Sequence, residues 1–233
     1  MRVAVIPARG GSKRIPGKNI KHFCGKPMMA WSIGSALETG LFDRVIVSTD
    51  DPEIASIAET MGAEVPFVRP AELSDDHAGT SVVIAHAIEW LRQRGLAPDP
   101  VCCIYATAPF ISADDLHRGF KLLQESTADF AFSVTSYAFP IQRAVRLTSE
   151  GGMEMFQPEH FITRSQDLEE AYHDAGQFYW GRADAWCSGA PIFGPKSVPV
   201  VIPRCRVQDI DTPEDWEHAE LMFRALKSRE TTQ

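Results

Sequence analysis

Residues 8–19 read Ala-Arg-Gly-Gly-Ser-Lys-Arg-Ile-Pro-Gly-Lys-Asn and directly follow a short apolar run from Val3 to Ile6. Gly10, Gly11 and Gly17 lack the side chain that would keep backbone amides away from an anion, and Arg9, Lys13, Arg14 and Lys18 place four cations in the same stretch. That combination suits a nucleoside triphosphate better than a merely solvated basic loop, because the rest of the chain is acidic. The G-x-x-x-x-G-K-[ST] spacing of a Walker loop is absent, and so is G-x-G-x-x-G. A second cluster, Val207-Gln-Asp-Ile-Asp-Thr212, puts Asp209 and Asp211 two apart. In an extended segment both carboxylates project from one face while Ile210 points inward. Mg²⁺ takes only one or two protein carboxylates and fills its shell with phosphate and water, so the pair fits a metal that arrives with a nucleotide. By itself the pair has a plainer reading, in which Asp211 merely precedes a helix capped by Thr212.

The elements that must carry these residues follow from periodicity. Short β-branched runs alternate with amphipathic stretches: Val3 to Ile6, a helix from Pro27 to Thr39, a strand over 44–48, and a helix from Pro52 to Met61. A third strand from Val65 to Val68, a helix from Thr80 to Arg94 and an apolar central strand over 101–106 continue the rhythm. Ser112 with Asp115 three residues on opens a helix to Glu125, and residues 129–135 form the next strand. The basic loop therefore leaves the carboxyl end of the first strand, where open α/β sheets bind ligands. From Tyr137 to Asp174 the rhythm fails at Pro140, Gly151, Gly152 and Pro158, with a hairpin expected around 149–152. Strands over 176–181 and 198–203, the latter buried or at an edge, and a helix opening at Thr212-Pro213 complete the chain. These elements predict one α/β domain over residues 1–233, a three-layer sandwich around a mainly parallel mixed sheet, with residues 137–174 protruding from it.

Composition sets the outer limits. The chain has 233 residues, 44% hydrophobic and 23% charged, enough for one large domain with its own core. A net charge of -8 argues against a nucleic-acid binder. No run reaches the roughly 18 apolar residues of a membrane span, and the N-terminus meets a proline and charges too early for a signal peptide, so a cytoplasmic location is expected. Five cysteines without C-x-x-C spacing argue for reduced thiols rather than a disulfide framework or zinc site. Trp31, Trp90 and Trp216 are expected in helix cores, and His86, His117 and His218 on helix surfaces. No Ser-His-Asp or Cys-His constellation can be argued, and no side chain stands out as a general base.

The two clusters, together with residues 44–55 (RVIVSTDDPEIA), 69–76 (RPAELSDD), 106–110 (ATAPF), 176–181 (GQFYWG) and 209–216 (DIDTPEDW), resemble the cytidylyltransferase family that makes CMP-activated nonulosonic sugars. The likeness runs over almost the whole chain and implies the nucleotide-diphospho-sugar transferase-like fold. It also implies a homodimer formed through the protruding segment. By the resemblance Arg9, Gly10, Ser12 and Lys18 hold the triphosphate, while Asn19, Arg69, Ala78 and Thr80 line the cytosine and ribose pocket. Asp209 and Asp211 ligate Mg²⁺. On its sequence surroundings alone, Arg69 beside Pro70 is equally a surface-loop arginine.

Residues 164–181 (RSQDLEEAYHDAGQFYWG) are most similar to family members acting on pseudaminic acid. This implies an acceptor-sugar site built from Tyr105, Arg164, Gln166, His173, Gln177, Phe178 and Tyr179, although His173 is as readily a structural histidine near a turn. Sialic acid members usually carry Gln-Pro-Thr-Ser-Pro at the end of the central strand, where this chain has Tyr105-Ala-Thr-Ala-Pro109. They usually carry Asn-Gly where this chain has Ala175-Gly176. The expected reaction is CTP plus pseudaminic acid giving the CMP-sugar and pyrophosphate, with Arg9, Lys18, Asp209 and Asp211 catalytic. Legionaminic acid, sialic acid and 3-deoxy-manno-octulosonic acid are the alternative acceptors. A non-catalytic nucleotide-binding protein would not need paired metal carboxylates, and a glycosyltransferase using a CMP-sugar would need less charge in the loop.

Overall fold

In the computed structural model, which describes residues 1–75 and 78–230, alternate residues of each central strand feed two separate cores. The elements in chain order are β1 (Val3–Pro7), β2 (His22–Phe23), β3 (Lys26–Pro27), α1 (Met28–Glu38), β4 (Arg44–Ser48), α2 (Pro52–Thr60), α3 (Thr80–Arg92) and β5 (Val101–Ile104). They continue with α4 (Ala113–Glu125), β6 (Phe130–Ser136), β7 (Val145–Leu147), β8 (Met153–Met155), β9 (Tyr172–Gly181), α5 (Ala183–Ser188), β10 (Ser197–Val201) and α6 (Pro213–Glu230). The main sheet has the order β10-β6-β9-β5-β1-β4. β1 pairs in parallel with β4 and β5, β10 pairs in parallel with β6, and β9 alone runs antiparallel between β5 and β6.

Ala4 and Ile6 of β1 face α1, α2 and α4, whereas Val3 and Val5 face α3 and α5. A strand covered on both faces has no polar side, which is why β1 and β5 read as continuous apolar runs. Together the layers form the three-layer α/β sandwich expected. The caps behave as the sequence suggests: the Asp51 carboxylate accepts from the amides of Glu53 and Ile54, and the Ser112 hydroxyl accepts from the Asp115 amide.

A third core lies off the sheet. α6 packs Trp216, Ala219 and Phe223 on Phe23 and Met28, and the same cluster takes in Ile15, Phe110 and Ile210. Phe23 meets Phe110, Trp216 and Phe223 edge to face at 5.4–6.5 Å between ring centres. Its strand is half of a tight β2–β3 hairpin turning on Cys24 and Gly25, both at positive φ.

Three expectations are corrected. Residues 65–68 form no strand; there are only isolated bridges, Glu64 to Ile46 of β4 and Val68 to Thr49 just beyond it, because Pro66 between them cannot donate to a ladder. The excursion from the sheet covers 137–171 rather than 137–174, since Tyr172, His173 and Asp174 pair with β6. Trp31 and Trp90 are half-buried rather than core, while Trp216 is buried. The hairpin around 149–152 is present, with Thr148 to Gly152 closing β7 on β8. All five cysteines are free, and Cys102 and Cys103 are buried strand residues. Among the described residues no helix is long and apolar enough to cross a membrane.

Candidate active site

The chain direction reverses across the sheet between β1 and β5, because the path from β1 runs to β4 at one edge and returns to β5 on the other side of β1. A crevice opens at the carboxyl ends of strands at such a switch point. A cavity of 530 Å³ lies there. One wall is the loop after β1, which contributes Arg9, Ser12, Lys13, Arg14, Lys18 and Asn19; the opposite wall is Tyr105, Ala106 and Thr107 after β5, and Asp211 closes a third side.

The loop is held from within. Its buried Ile15 plugs into the third core, the Asn19 side-chain amide donates to the Arg9 carbonyl at 3.0 Å, and Gly17 at φ +61° turns the chain so that Ile20 and Lys21 donate back to it. The facing segment is held in the same way, with buried Ile210 in the third core between its two aspartates. Behind it, Arg206 clamps buried Asp115, which also takes Arg118 at 2.7 Å. Burial pushes the Asp115 carboxyl up, but the hydrogen bonds from Arg206 and Ser112 outweigh it and hold the group below its ordinary value.

Lys18 reaches across to the Ile210 carbonyl and to Asp211 at 3.2 Å, and Arg14 pairs with the other Asp211 oxygen at 2.8 Å. Asp209, unlike Asp211, does not line the cavity and is an exposed residue; desolvation and then the Asp211 charge raise its carboxyl, with Lys18 opposing. Two hard carboxylates that repel one another beside a cluster of cations are a donor set whose chemistry suits Mg²⁺. No group of three or more His, Cys, Asp or Glu that could hold a metal occurs among the described residues.

Several expected residues are placed differently. Gly10 donates its amide to Asp50 at 3.2 Å, and a Cβ there would lie 2.5 Å from Asp51, so this glycine is required for close approach to the α2 cap rather than to the cavity. Arg69 is not a surface arginine: it is 5% exposed and donates to the carbonyls of Ser48 at 2.8 Å and Leu73 at 3.4 Å. Burial lowers its pKa, and Asp50 opposes that effect. It lines a second cavity, of 660 Å³, together with Asp50, Ser74 and Asp75. Ala78 donates to Asp75 at 2.7 Å, and Thr80 meets the Tyr105 hydroxyl at 3.1 Å. The last aspartate of the 69–76 motif lies outside the described residues.

Of the expected sugar contacts only Tyr105 lines the first cavity. Phe178 is corrected: it is fully buried against Gly119 of α4, on the opposite face of β9 from Tyr179, as strand alternation requires. Gln177 is buried and donates to the Arg206 carbonyl. His173 stacks edge to face on Tyr137, and Tyr179 is buried behind Tyr105 with ring centres 5.3 Å apart. Arg164 and Gln166 are exposed in the protruding segment, where Arg164 pairs with Asp167, and neither reaches the cavity of its own chain. Asp50, Thr107 and Asp174 lie inside the motifs at 44–55, 106–110 and 164–181, but only their tertiary neighbours single them out from the rest of those segments.

The cytidylyltransferase family model matches residues 3–186, from β1 through α5. The chain belongs to the cytidylyltransferase family. It is accordingly a nucleotidyltransferase. Among relatives of this cytidylyltransferase, pseudaminic acid cytidylyltransferase of Campylobacter jejuni is 46% identical over 95% of this chain and 96% of the relative. CMP-N,N'-diacetyllegionaminic acid synthase of Legionella pneumophila is 32% identical over 96% and 97%. The fold matches that of CMP:2-keto-3-deoxy-manno-octonic acid synthetase, solved in complex with CTP, with a TM-score of 0.69 at 19% identity over 98% of this chain and 99% of that one.

Proposed function

We propose that this cytidylyltransferase joins CTP to pseudaminic acid, giving the CMP-sugar and pyrophosphate. The observation that carries the reading is the convergence of four loop cations, Asp211 and Tyr105 on one 530 Å³ cavity. The acceptor is supported by the relatives: two that carry pseudaminic acid in their names are 46% and 45% identical, against 32% for the legionaminic acid enzyme.

The anomeric hydroxyl of the sugar attacks the α-phosphorus in line, the bond from that phosphorus to the bridging oxygen breaks, and pyrophosphate leaves as the hydroxyl loses its proton. Arg9, Lys13, Arg14 and Lys18 neutralise the triphosphate and the charge that grows on the leaving group, the term that dominates phosphoryl-type transfer. Ser12 and the loop amides orient the phosphates. Asp209 and Asp211 would hold Mg²⁺, which when bound supplies Lewis-acid polarisation of the phosphate. Asn19 in the first cavity and Arg69 in the second, with the backbone near Ala78 and Thr80, would meet the cytosine and ribose from two sides, and Tyr105 borders the acceptor. The chain works as a homodimer through residues 137–171, and Arg164 and Gln166 can then meet a sugar only in the cavity of the other subunit. Free thiols and a CTP substrate fit the reducing cytoplasm.

Pyrophosphate release with CTP against a panel of nonulosonic acids tests the reading. Pseudaminic acid should give the highest kcat/KM, and CTP should be preferred over UTP. Equal or better use of N-acetylneuraminic acid reassigns the acceptor, while no release with any member of the panel removes the catalytic reading altogether.

A further inference from the structure

Arg206 is held at both ends by buried polar groups. Its guanidinium donates to both carboxylate oxygens of Asp115 in α4, the Nη2 bond at 3.1 Å, and also meets the Ser112 hydroxyl at 3.3 Å. Its carbonyl accepts the side-chain amide of Gln177 from β9 at 2.5 Å. Asp115 and Gln177 are both buried. The Ser112 hydroxyl and Arg118 each donate to Asp115 as well, at 2.7 Å, so both carboxylate oxygens are engaged. Gln177 Oε1 has no hydrogen-bond partner among the described residues, and the bond that its side chain does make is the one to Arg206.

Taking a carboxylate and a guanidinium out of water costs about as much as their attraction returns, so such a pair does more to fix geometry than to stabilise a fold. What it fixes here is the start of the segment that carries the two aspartates. Arg206 ends a one-turn 3-10 helix over Arg204–Arg206, with Val207 partly buried beside it, and Asp209 follows three residues on. Downstream, the Ile210 side chain is in the third core, its carbonyl takes Lys18, and the Asp211 amide donates to Asp215 at 3.1 Å. Asp211 is thus held by its own neighbours. Asp209 is exposed and lies in the short span between the two anchors, from which it inherits its place.

We propose that Asp115 and Gln177 are positioning residues that act through the two ends of Arg206 to set where Asp209 stands beside Asp211, and with it the affinity of that carboxylate pair for a divalent cation. The inference rests on the metal-binding reading of Asp209 and Asp211 given above. Neither Asp115 nor Gln177 lines the first cavity, and Asp115 borders a separate one of 330 Å³ together with Arg206 and Phe110.

Two variants cut different bonds to Arg206. Asp115→Asn keeps the shape and removes the charge, and Gln177→Leu removes the amide together with its unpaired oxygen at little change of volume. In each, Mn²⁺ titrated into the protein with CTP as the limiting component, and followed by electron paramagnetic resonance, should bind roughly tenfold more weakly. Metal-free CTP binding, by calorimetry in chelator, should stay as in wild type. In turnover, half-saturation by MgCl₂ should rise by the same factor while kcat at saturating MgCl₂ changes little. In an Asp209→Asn background neither substitution should weaken Mn²⁺ binding further, because both act through Asp209. A merely structural role would lower Tm without separating metal affinity from metal-free CTP affinity. Unchanged Mn²⁺ affinity in either folded variant, an equal loss of metal-free CTP binding, or further weakening in the Asp209→Asn background would overturn the proposal. If Asp115→Asn is unfolded at the assay temperature, Gln177→Leu decides alone. A wild type that binds no Mn²⁺ with CTP sinks the metal-binding reading itself, whereas a wild type that binds it beside indifferent variants sinks only this inference.

Discussion

The loops around the cavity and the segment at 137–171 are both irregular chain, yet they are stabilised in opposite ways. Each cavity loop sends one aliphatic anchor inward: Ile15 and Ile210 are each 2% exposed and share a core with Phe23, Phe223 and Trp216. The protruding segment shows apolar side chains to solvent, with Leu147 71%, Phe161 74% and Ile162 87% exposed, and it is held by its own hairpin, by bonds across itself such as Gln142 to the Glu169 carbonyl and Arg143 to the Thr163 carbonyl, and by Arg204 on the Tyr137 carbonyl. The cavity loops are thus anchored by one buried aliphatic side chain each while cations such as Lys13 and Arg14 stay exposed, an arrangement that holds charge in place before any ligand binds. The protruding segment instead leaves an apolar face of the kind that marks a protein interface.

The strongest way to break that contrast is at Asp211. Asp211→Ala removes one carboxylate of the proposed metal pair and the partner of Lys18 and Arg14, and turnover should fall by at least about 10²- to 10³-fold. Ile210 and the Thr212–Asp215 cap remain, so stability should move by less than about 1 kcal/mol. Steady-state rates with a thermal melt check both halves. Near-normal Mg²⁺-dependent rates would show that the 209–211 segment is ordered for structure alone.

A smaller effect is expected at the other region. Ile162→Asp places a charge where a second copy should cover an aliphatic side chain, and dimer affinity should weaken on the order of 10- to 100-fold while the fold of each subunit persists. Sedimentation across a concentration series reads this directly. A wild-type protein that is monomeric at all concentrations would mean that this face is covered by something else or by nothing.

The contrast also explains what could be read from sequence. The basic loop was legible because glycines and cations are local signals, and β1, α1, β4 and α4 were legible because each has a clean period or cap. Arg69 was not, since its burial depends on Ser48 and Leu73 from other elements. Phe178 and Tyr179 were assigned together to the sugar although neighbours in a strand cannot share a face, so that error was avoidable from alternation alone. β9 carries a bulge that turns Asp174 toward Tyr179; it depends on Ser133 of a strand 41 residues earlier, and no pattern within β9 announces it. The α5 helix of six residues is shorter than periodicity can detect.

The smallest expected effect tests whether the ordered region gives up stability for its charge arrangement, which the protruding segment has no reason to do. Desolvation and the Asp211 charge raise the Asp209 carboxyl above its ordinary value. A carboxyl with a higher pKa folded than unfolded holds its proton more tightly in the folded state, so stability is lost as pH rises from the unfolded value through the folded one, and the loss persists at neutral pH. Asp209→Asn should therefore raise Tm slightly at neutral pH in chelator, and the gain should disappear below about pH 4, where the wild-type group is protonated in both states. Adding MgCl₂ with CTP should raise the wild-type Tm through ligand linkage and raise the variant's much less. If the variant melted lower than wild type in chelator, the like-charge repulsion with Asp211 would not be a destabilising feature. If both proteins gained equally from MgCl₂ and CTP, Asp209 would have no part in holding the metal, and Asp211 would be left as the only carboxylate of that site on this loop.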